Sequence, residues 1–346
     1  MNPEKDLVSV IMSNYNTPEE YLRPAIDSIL TQTYKNFEFI IIDDCSTDNS
    51  LSIIESYTDD RIKVIKNEQN LGITKSLNRG LAVAKGEFVA RMDADDISLE
   101  TRFEKQVEFL RSHPDHIVCG TGVELIGDWQ TKHSNKFICR KIPDKEAFQI
   151  HLLFGNYPNI VHPTAMFNHN MLLKHNITYN ENYRLAQDYR MWISCSEVAE
   201  CANIPETLLN YRVHNKAVSS DKKELQRNIA IQIMQEQLNK LHLELDEIYA
   251  EIHKDFLFSR KPYDIRCKKW IKTLLKQNQK YKIYNQKKMK KILWKKWTEI
   301  SYYGLAKQQK FSKILRILFN IPVLYIPHLY NVRKSRNKKQ HSEEKN

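Results

Sequence analysis

A chain of 346 residues with 41% hydrophobic and 10% aromatic residues can build a sizeable core, which excludes a globally disordered protein. Eight glycines leave little material for glycine-rich phosphate loops, and none of the six cysteines forms a C-x-x-C pair, so a structural zinc site is not supported and free thiols in a reducing compartment are expected. The net charge of +11 is unevenly held: 25 Lys+Arg stand against 4 Asp+Glu from Arg260 onward, and 28 against 38 in residues 1–259. An acidic body thus precedes a strongly basic region, a composition that meets anionic partners. Met1 to Leu7 is charged and polar, and no run of about 18 apolar residues occurs, so neither a signal peptide nor a spanning helix is expected and the reading is cytosolic.

Strand and helix patterns alternate through the first hundred residues. Val8–Met12 reads as a strand and Glu19–Gln32 as a helix with Tyr21, Leu22, Ile26, Ile29 and Leu30 on one side. Phe37–Ile42 reads as a buried strand, 49–57 as a helix, Ile62–Lys66 as a strand, Ile73–Lys85 as a helix and Glu87–Arg91 as a fourth strand. This alternation predicts an α/β fold with a doubly wound, mostly parallel sheet. Further on, helices are expected at Glu100–Ser112, Asp144–Phe154 and around Gln187–Val198, with short strands at Ile117–Cys119 and Val123–Ile126. Lys222–Phe258 reads as one long amphipathic helix, followed by Lys/Trp/Tyr-rich helical segments. The expected organisation is a catalytic domain over 1–218, a helical basic region over 219–340 and a disordered tail over 341–346.

Polar residues follow the strands. Ser13-Asn14-Tyr15-Asn16 comes after the first, Asp43-Asp44-Cys45-Ser46-Thr47-Asp48 after the second, and Asp93-Ala94-Asp95-Asp96 after the fourth. Such clusters are ordinary turns and caps when single. Three at the carboxyl edge of one parallel sheet mark the place where these folds bind ligands. A D-x-D group there suits Mg²⁺ or Mn²⁺, which prefer carboxylate oxygens and keep positions open for phosphate. Rival two-aspartate chemistries fail on spacing: Ile97 follows Asp96 where a D-x-D-x-[TV] phosphatase loop needs Thr or Val, and the first loop holds neither G-x-G-x-x-G nor a P-loop.

Seven blocks in order resemble the family 2 glycosyltransferases of the GT-A fold, in the branch that builds bacterial capsules, exopolysaccharides and O-antigens. They are Val8–Met12, Ile42–Asp48, Asn70-Leu71-Gly72-Ile73-Thr74, Gly86–Asp96, His162-Pro163-Thr164-Ala165-Met166-Phe167, Gln187-Asp188-Tyr189-Arg190-Met191-Trp192, and Asn203–Glu206 running on to Tyr211-Arg212-Val213-His214. The resemblance spans about residues 7–215. It implies a nucleotide-sugar site lined by Ser13, Tyr15, Asn16, Asp43, Asp44, Lys75, Asp93, Ala94 and Asp95, with Asp44 reading the uracil ring. It implies Mn²⁺ or Mg²⁺ on Asp95 with His214 as a further ligand, and Asp188 as the base that deprotonates the acceptor hydroxyl. The family's usual Glu-Asp pair is Gln187-Asp188 in this chain. His162, Gln187 and Trp192 are expected on the acceptor side, Trp192 stacking on a sugar ring.

The implied activity is inverting transfer of a hexose (galactose, glucose or an N-acetylhexosamine) from a UDP-sugar to a lipid-linked saccharide, forming a β-linkage. The alternatives are a non-catalytic membrane-bound scaffold of a polysaccharide assembly complex, and a nucleotidyltransferase on the same fold. In the basic region, lysines interleave with Trp270, Trp294 and Trp297, a pattern suited to an anionic bilayer surface. Phe311–Tyr330 is apolar but broken by Pro322 and Pro327, so peripheral attachment is expected there. Nucleic acid is not an expected partner, since the catalytic body offers no supporting motif.

Overall fold

The computed structural model describes residues 3–127, 137–153, 160–213, 223–244, 250, 253 and 265–306. The chain forms two compact units, one of residues 1–149 and 158–230, the other of residues 150–157 and 231–346.

Nine strands form one sheet among the described residues of the first unit: β1 (Glu4–Asn14), β2 (Phe37–Asp43), β3 (Ile62–Lys66), β4 (Gly86–Asp93), β5 (Ile97–Ser98), β6 (His116–Gly127), β7 (Phe137–Ile138), β8 (Met166–Asn168) and β9 (Glu200–Val213). Their order is β3-β2-β1-β4-β8-β6-β9-β5, with β7 beside β6. The first four are parallel, β8 runs antiparallel to both β4 and β6, and β6 and β9 are parallel to each other. The expected mostly parallel α/β sheet is present. Helices α1 (Glu19–Leu30), α2 (Ser50–Glu55), α3 (Ile73–Val83), α4 (Arg102–Ser112), α5 (Lys145–Leu152), α6 (His169–Lys174) and α7 (Gln187–Val198) accompany it.

Burial on both faces explains the strand composition. All seven residues of β2 are buried, which is why it reads as an unbroken apolar run. Its one early charge, Glu38, is satisfied by Ser9 Oγ at 2.6 Å, Lys63 Nζ at 2.6 Å and the Lys85 N–H at 2.8 Å. α1 turns Leu22, Ala25, Ile26 and Ile29 inward at helical spacing. Gly86 opens β4 because a Cβ there would stand 2.5 Å from the Leu7 carbonyl oxygen.

Three expectations change. The two short strands near residues 117–126 are one strand, β6, because the chain stays paired with β9 from His116↔Glu200 to Gly127↔Val213. β9 itself carries charged and polar residues with no clean alternation, so its pattern hid a 14-residue strand. The long helix expected over Lys222–Phe258 is shorter: α8 spans Lys223–Asn239, and His242 then turns the chain with a positive φ of 52°.

In the second unit α9 (Ile265–Tyr281) and α10 (Gln286–Ala306) form a helical hairpin. Asn278 holds its turn, donating to Tyr284 O at 2.8 Å and accepting from Tyr284 N at 2.8 Å. Trp270, Trp294 and Trp297 are buried, with Trp294 and Trp297 edge to face at 5.5 Å. The expectation that these tryptophans meet a bilayer is therefore corrected: all three are buried, and Trp270 donates its indole N–H to His253 Nδ1 at 3.0 Å. The solvent side is rich in lysine, with Lys269, Lys272, Lys276 and Lys280 exposed along α9 and Lys287, Lys290, Lys291 and Lys295 along α10. No described helix is long and apolar enough to cross a membrane. Phe311–Tyr330 and the tail over 341–346 lie outside the described residues.

Candidate active site

Strand register assembles the site. β1 lies between β2 and β4, pairing Asn14 with Asp43 on one side and Ser13 with Asp93 on the other. Three loops that are far apart in sequence thus emerge side by side at one sheet edge, as the polar clusters led one to expect.

The first two loops are laced together. Asn14 is fully buried, and its Nδ2 reaches Asp43 Oδ1 (2.9 Å), Ser46 Oγ (3.1 Å) and Ser50 Oγ (3.1 Å). Asn16, at φ 51°, accepts from the Thr47 N–H at 2.8 Å and donates its own N–H to Ser46 Oγ at 3.1 Å. Asp43 also accepts the Ser46 N–H at 3.0 Å and hydroxyl at 2.6 Å. Tyr15 is left 48% exposed at the tip.

Asp44 organises the loop around it. It is 2% exposed; Oδ1 accepts Asn67 Nδ2 at 2.6 Å and the Leu71 N–H at 2.8 Å, and Oδ2 accepts the Gly72 N–H at 2.8 Å. Gly72, at φ +82°, starts α3, so the carboxylate staples the entry of that helix to the end of β2. Lys75 stands exposed in the first turn of α3.

The third loop carries Asp93, Asp95 and Asp96, whose carboxylates lie within 4.8 Å of one another. Ala94 between them is buried. Asp93 is ion-paired with Arg91. Asp96 is buried; its Oδ1 accepts the Arg212 N–H at 2.7 Å, while Oδ2 has no hydrogen-bond partner among the described residues. Burial, followed by repulsion from Asp93 and Asp95, pushes the Asp96 carboxyl well above the usual range. Three crowded oxygen donors, one with an unsatisfied buried oxygen, fit a hard divalent cation, which relieves that repulsion.

Asp188 arrives from α7. Its helix starts at Ala186, which adopts the left-handed conformation at φ 58° without being glycine. This kink sets Gln187 and Asp188 in the first turn, where Asp188 Oδ1 accepts the Tyr189 N–H at 2.8 Å. Burial raises the Asp188 carboxyl above its ordinary value; the Tyr189 N–H and Arg91 oppose that, and the charge of Asp93 adds to it. The base candidate thus shares one electrostatic environment with the acidic cluster, although nearly a hundred residues separate them.

Other expectations fare differently. Trp192 is 1% exposed, stacked on Phe167 with ring centroids 6.0 Å apart and set edge-on to His162. It is a core residue under the site, so the expected sugar-stacking role is corrected: the four-residue spacing from Asp188 shares a helical stripe, but that part of it points into the sheet. His162 is buried, bonded through Nε2 to the Tyr179 hydroxyl at 2.8 Å, and held neutral by burial and then Arg91, which push its pKa well below the usual value. Gln187 is half-buried beside Asp188. His214 lies outside the described residues.

Two site residues escaped the sequence reading. Arg91 precedes Asp93 by two, so a strand puts both on one face; that period was the available signal. Arg212 binds the Asp95 carbonyl through Nε at 2.8 Å and lies over the Tyr21 ring at 4.5 Å. It sits within the block from which only His214 had been singled out.

A parallel sheet of GT-A type, an acidic triplet at its carboxyl edge and a carboxylate delivered from a later helix define a glycosyltransferase. The sequence model described as Glycosyl transferase family 2 matches residues 9–175. A glycosyltransferase of Haemophilus influenzae is 38% identical over 264 residues, covering 70% of this chain and 77% of that protein. The O-antigen biosynthesis glycosyltransferase WbnJ of Escherichia coli is 35% identical over 223 residues, covering 61% and 82%. Among solved structures, residues 1–349 of S. aureus TarS in complex with UDP-GlcNAc superpose with a TM-score of 0.57 at 19% identity, covering 88% of this chain and 92% of that one, a likeness of fold. The chain belongs to glycosyl transferase family 2.

Proposed function

We propose that this protein transfers a hexose (galactose, glucose or an N-acetylhexosamine) from a UDP-sugar to a lipid-linked saccharide, with inversion and β-linkage, in bacterial surface polysaccharide synthesis. The carrying observation is the crowding of Asp93, Asp95 and Asp96 at one sheet edge, with Asp188 within electrostatic reach of Asp93. The polysaccharide context draws on the relative named for O-antigen biosynthesis, and the donor class on the resemblance and on a fold neighbour solved with UDP-GlcNAc.

Asp188 takes the acceptor hydroxyl's proton as that oxygen attacks the anomeric carbon opposite the leaving diphosphate. Its raised pKa makes it a better base than an ordinary carboxylate. Asp95, with Asp93 and Asp96 beside it, would hold Mn²⁺ or Mg²⁺. An ion held there would supply positive charge against the negative charge developing on the departing diphosphate. Ser13, Tyr15, Asn16 and Lys75 face the nucleotide, and Asp43 and Asp44 keep their loops in shape for it. The test is a screen of nucleotide sugars for transfer and donor hydrolysis, with Mn²⁺ and with chelator. Metal-dependent turnover of a UDP-sugar is expected; no turnover of any nucleotide sugar overturns the reading.

The same reading places the enzyme at the inner face of the plasma membrane, where a lipid-linked acceptor lies. With its tryptophans buried, the hairpin of α9 and α10 exposes mainly lysines among its described side chains, so attachment through it is chiefly electrostatic. Sedimentation with vesicles containing anionic lipid should be strong at low salt and lost at about 1 M salt, where the screening length falls to about 3 Å. Retention at that salt would assign the attachment to insertion of the apolar stretch Phe311–Tyr330.

A further inference from the structure

Arg91 sits inside the sheet, 3% exposed, on a strand whose other central residues are apolar. Its backbone is pinned on every side: it pairs with Ile11 of β1, its N–H donates to Ala165 O at 2.9 Å, and its carbonyl accepts Arg102 Nη2 at 3.4 Å. Its Nη2 forms the ion pair with Asp93 Oδ1, while Nε and Nη1 have no hydrogen-bond partner among the described residues. A buried guanidinium with two unsatisfied nitrogens is costly to desolvate, and an apolar residue of similar volume would serve stability as well or better. The arrangement makes sense through what the one formed contact does. Asp93 ends β4 beside two further carboxylates that repel it, and a fixed cation on its flank holds it in place against them.

We propose that Arg91 is a positioning residue for donor turnover, fixing the Asp93 carboxylate at the end of β4 so that it meets the nucleotide sugar in a single orientation. The inference rests on the function proposed above. Arg91 does not touch the donor; it acts through Asp93. A lysine keeps the charge but loses the planar, rigid guanidinium that sets the carboxylate's direction.

The test is a double-mutant cycle on the full-length protein: wild type, Arg91→Lys, Asp93→Asn and the pair, with kcat and the donor's KM measured on the donor found in the screen and folding followed by thermal melting. Arg91→Lys should lower kcat/KM by at least about tenfold, and by less than about twofold once Asp93 is already Asn. The loss should fall chiefly on the donor's KM, which a residue needed only for folding would leave alone. Losses that multiply across the cycle, or a lowered melting temperature with unchanged kinetics, overturn the proposal. Should Arg91→Lys not fold, Arg91→Met with Asp93→Asn removes both charges together; a donor KM equal to that of Asp93→Asn alone supports the proposal and a further rise overturns it, kcat being set aside because the charge of Arg91 also acts on Asp188. A wild type that turns over no nucleotide sugar sinks the proposed function and this inference with it. An active wild type with multiplying losses sinks this inference alone.

Discussion

Asp188→Asn should lower transfer by about a hundredfold to ten-thousandfold, the range spanned by loss of a general base. The loss should appear in kcat, with donor affinity little changed, because in the proposed function the acceptor's proton is at stake and the nucleotide is assigned to the other carboxylates. Asn is the informative replacement, since its Oδ1 can still accept the Tyr189 N–H. The variant should also be at least as stable as wild type near neutral pH. Folding raises the Asp188 pKa, so the folded state binds the proton more tightly than the unfolded one. The stability penalty is therefore full above the raised pKa and is relieved as pH falls through it. Asn carries no such penalty at any pH. The same shift sets the wild type's pH profile: the acid limb of transfer should lie at a higher pH than an unshifted aspartate would set. An active Asp188→Asn enzyme, with an unmoved acid limb, would remove Asp188 from the base role and direct attention to another carboxylate.

Asp95→Asn should cost about a hundredfold to a thousandfold in turnover, the scale of losing one preorganised electrostatic stabiliser of the leaving group. Binding of UDP should lose its dependence on Mn²⁺, measurable by titration calorimetry with and without the ion. The physical reason is the donor set. Asp93, Asp95 and Asp96 crowd within 4.8 Å, and Asp96 keeps one buried oxygen without a hydrogen-bond partner among the described residues. Removing one of the three charges weakens hold on a hard cation and also relaxes the repulsion that raises Asp96. Asp95→Asn should thus lose activity while keeping or gaining melting temperature in the absence of metal. Full metal-dependent activity in this variant would exclude Asp95 as the ligand.

Both variants probe residues that stood out in the sequence, and the reason is local. A parallel sheet puts functional loops at one edge, so clusters after β1, β2 and β4 were legible as a site from alternation alone. Asp188 was found differently, by the block around it. Its helix was visible, but nothing in the spacing says that Asp188 comes within electrostatic reach of Asp93. The helix is entered through Ala186 in a left-handed turn, which sequence preference disfavours for alanine.

Roles proved harder to read than places. Trp192 sits where its block puts it, yet it serves the scaffold, stacked on Phe167 beneath the site. Arg91 shows the reverse, a charge in an apolar strand whose partner is the acidic cluster. In the basic hairpin, lysine and tryptophan at helical spacing fit a bilayer or an internal packing face equally well, and burial of Trp270, Trp294 and Trp297 decided between them.

The sequence by itself determined the α/β alternation, the sheet edge that carries Asp93-Ala94-Asp95-Asp96, and the charge split between body and C-terminal region, because these follow from periodicity and composition along the chain. Only the tertiary structure decided which carboxylates share a field, which oxygens are already spent on backbone N–H groups, and which tryptophans are covered. Those are properties of distance and desolvation between segments up to about a hundred residues apart, and side-chain chemistry alone does not encode them.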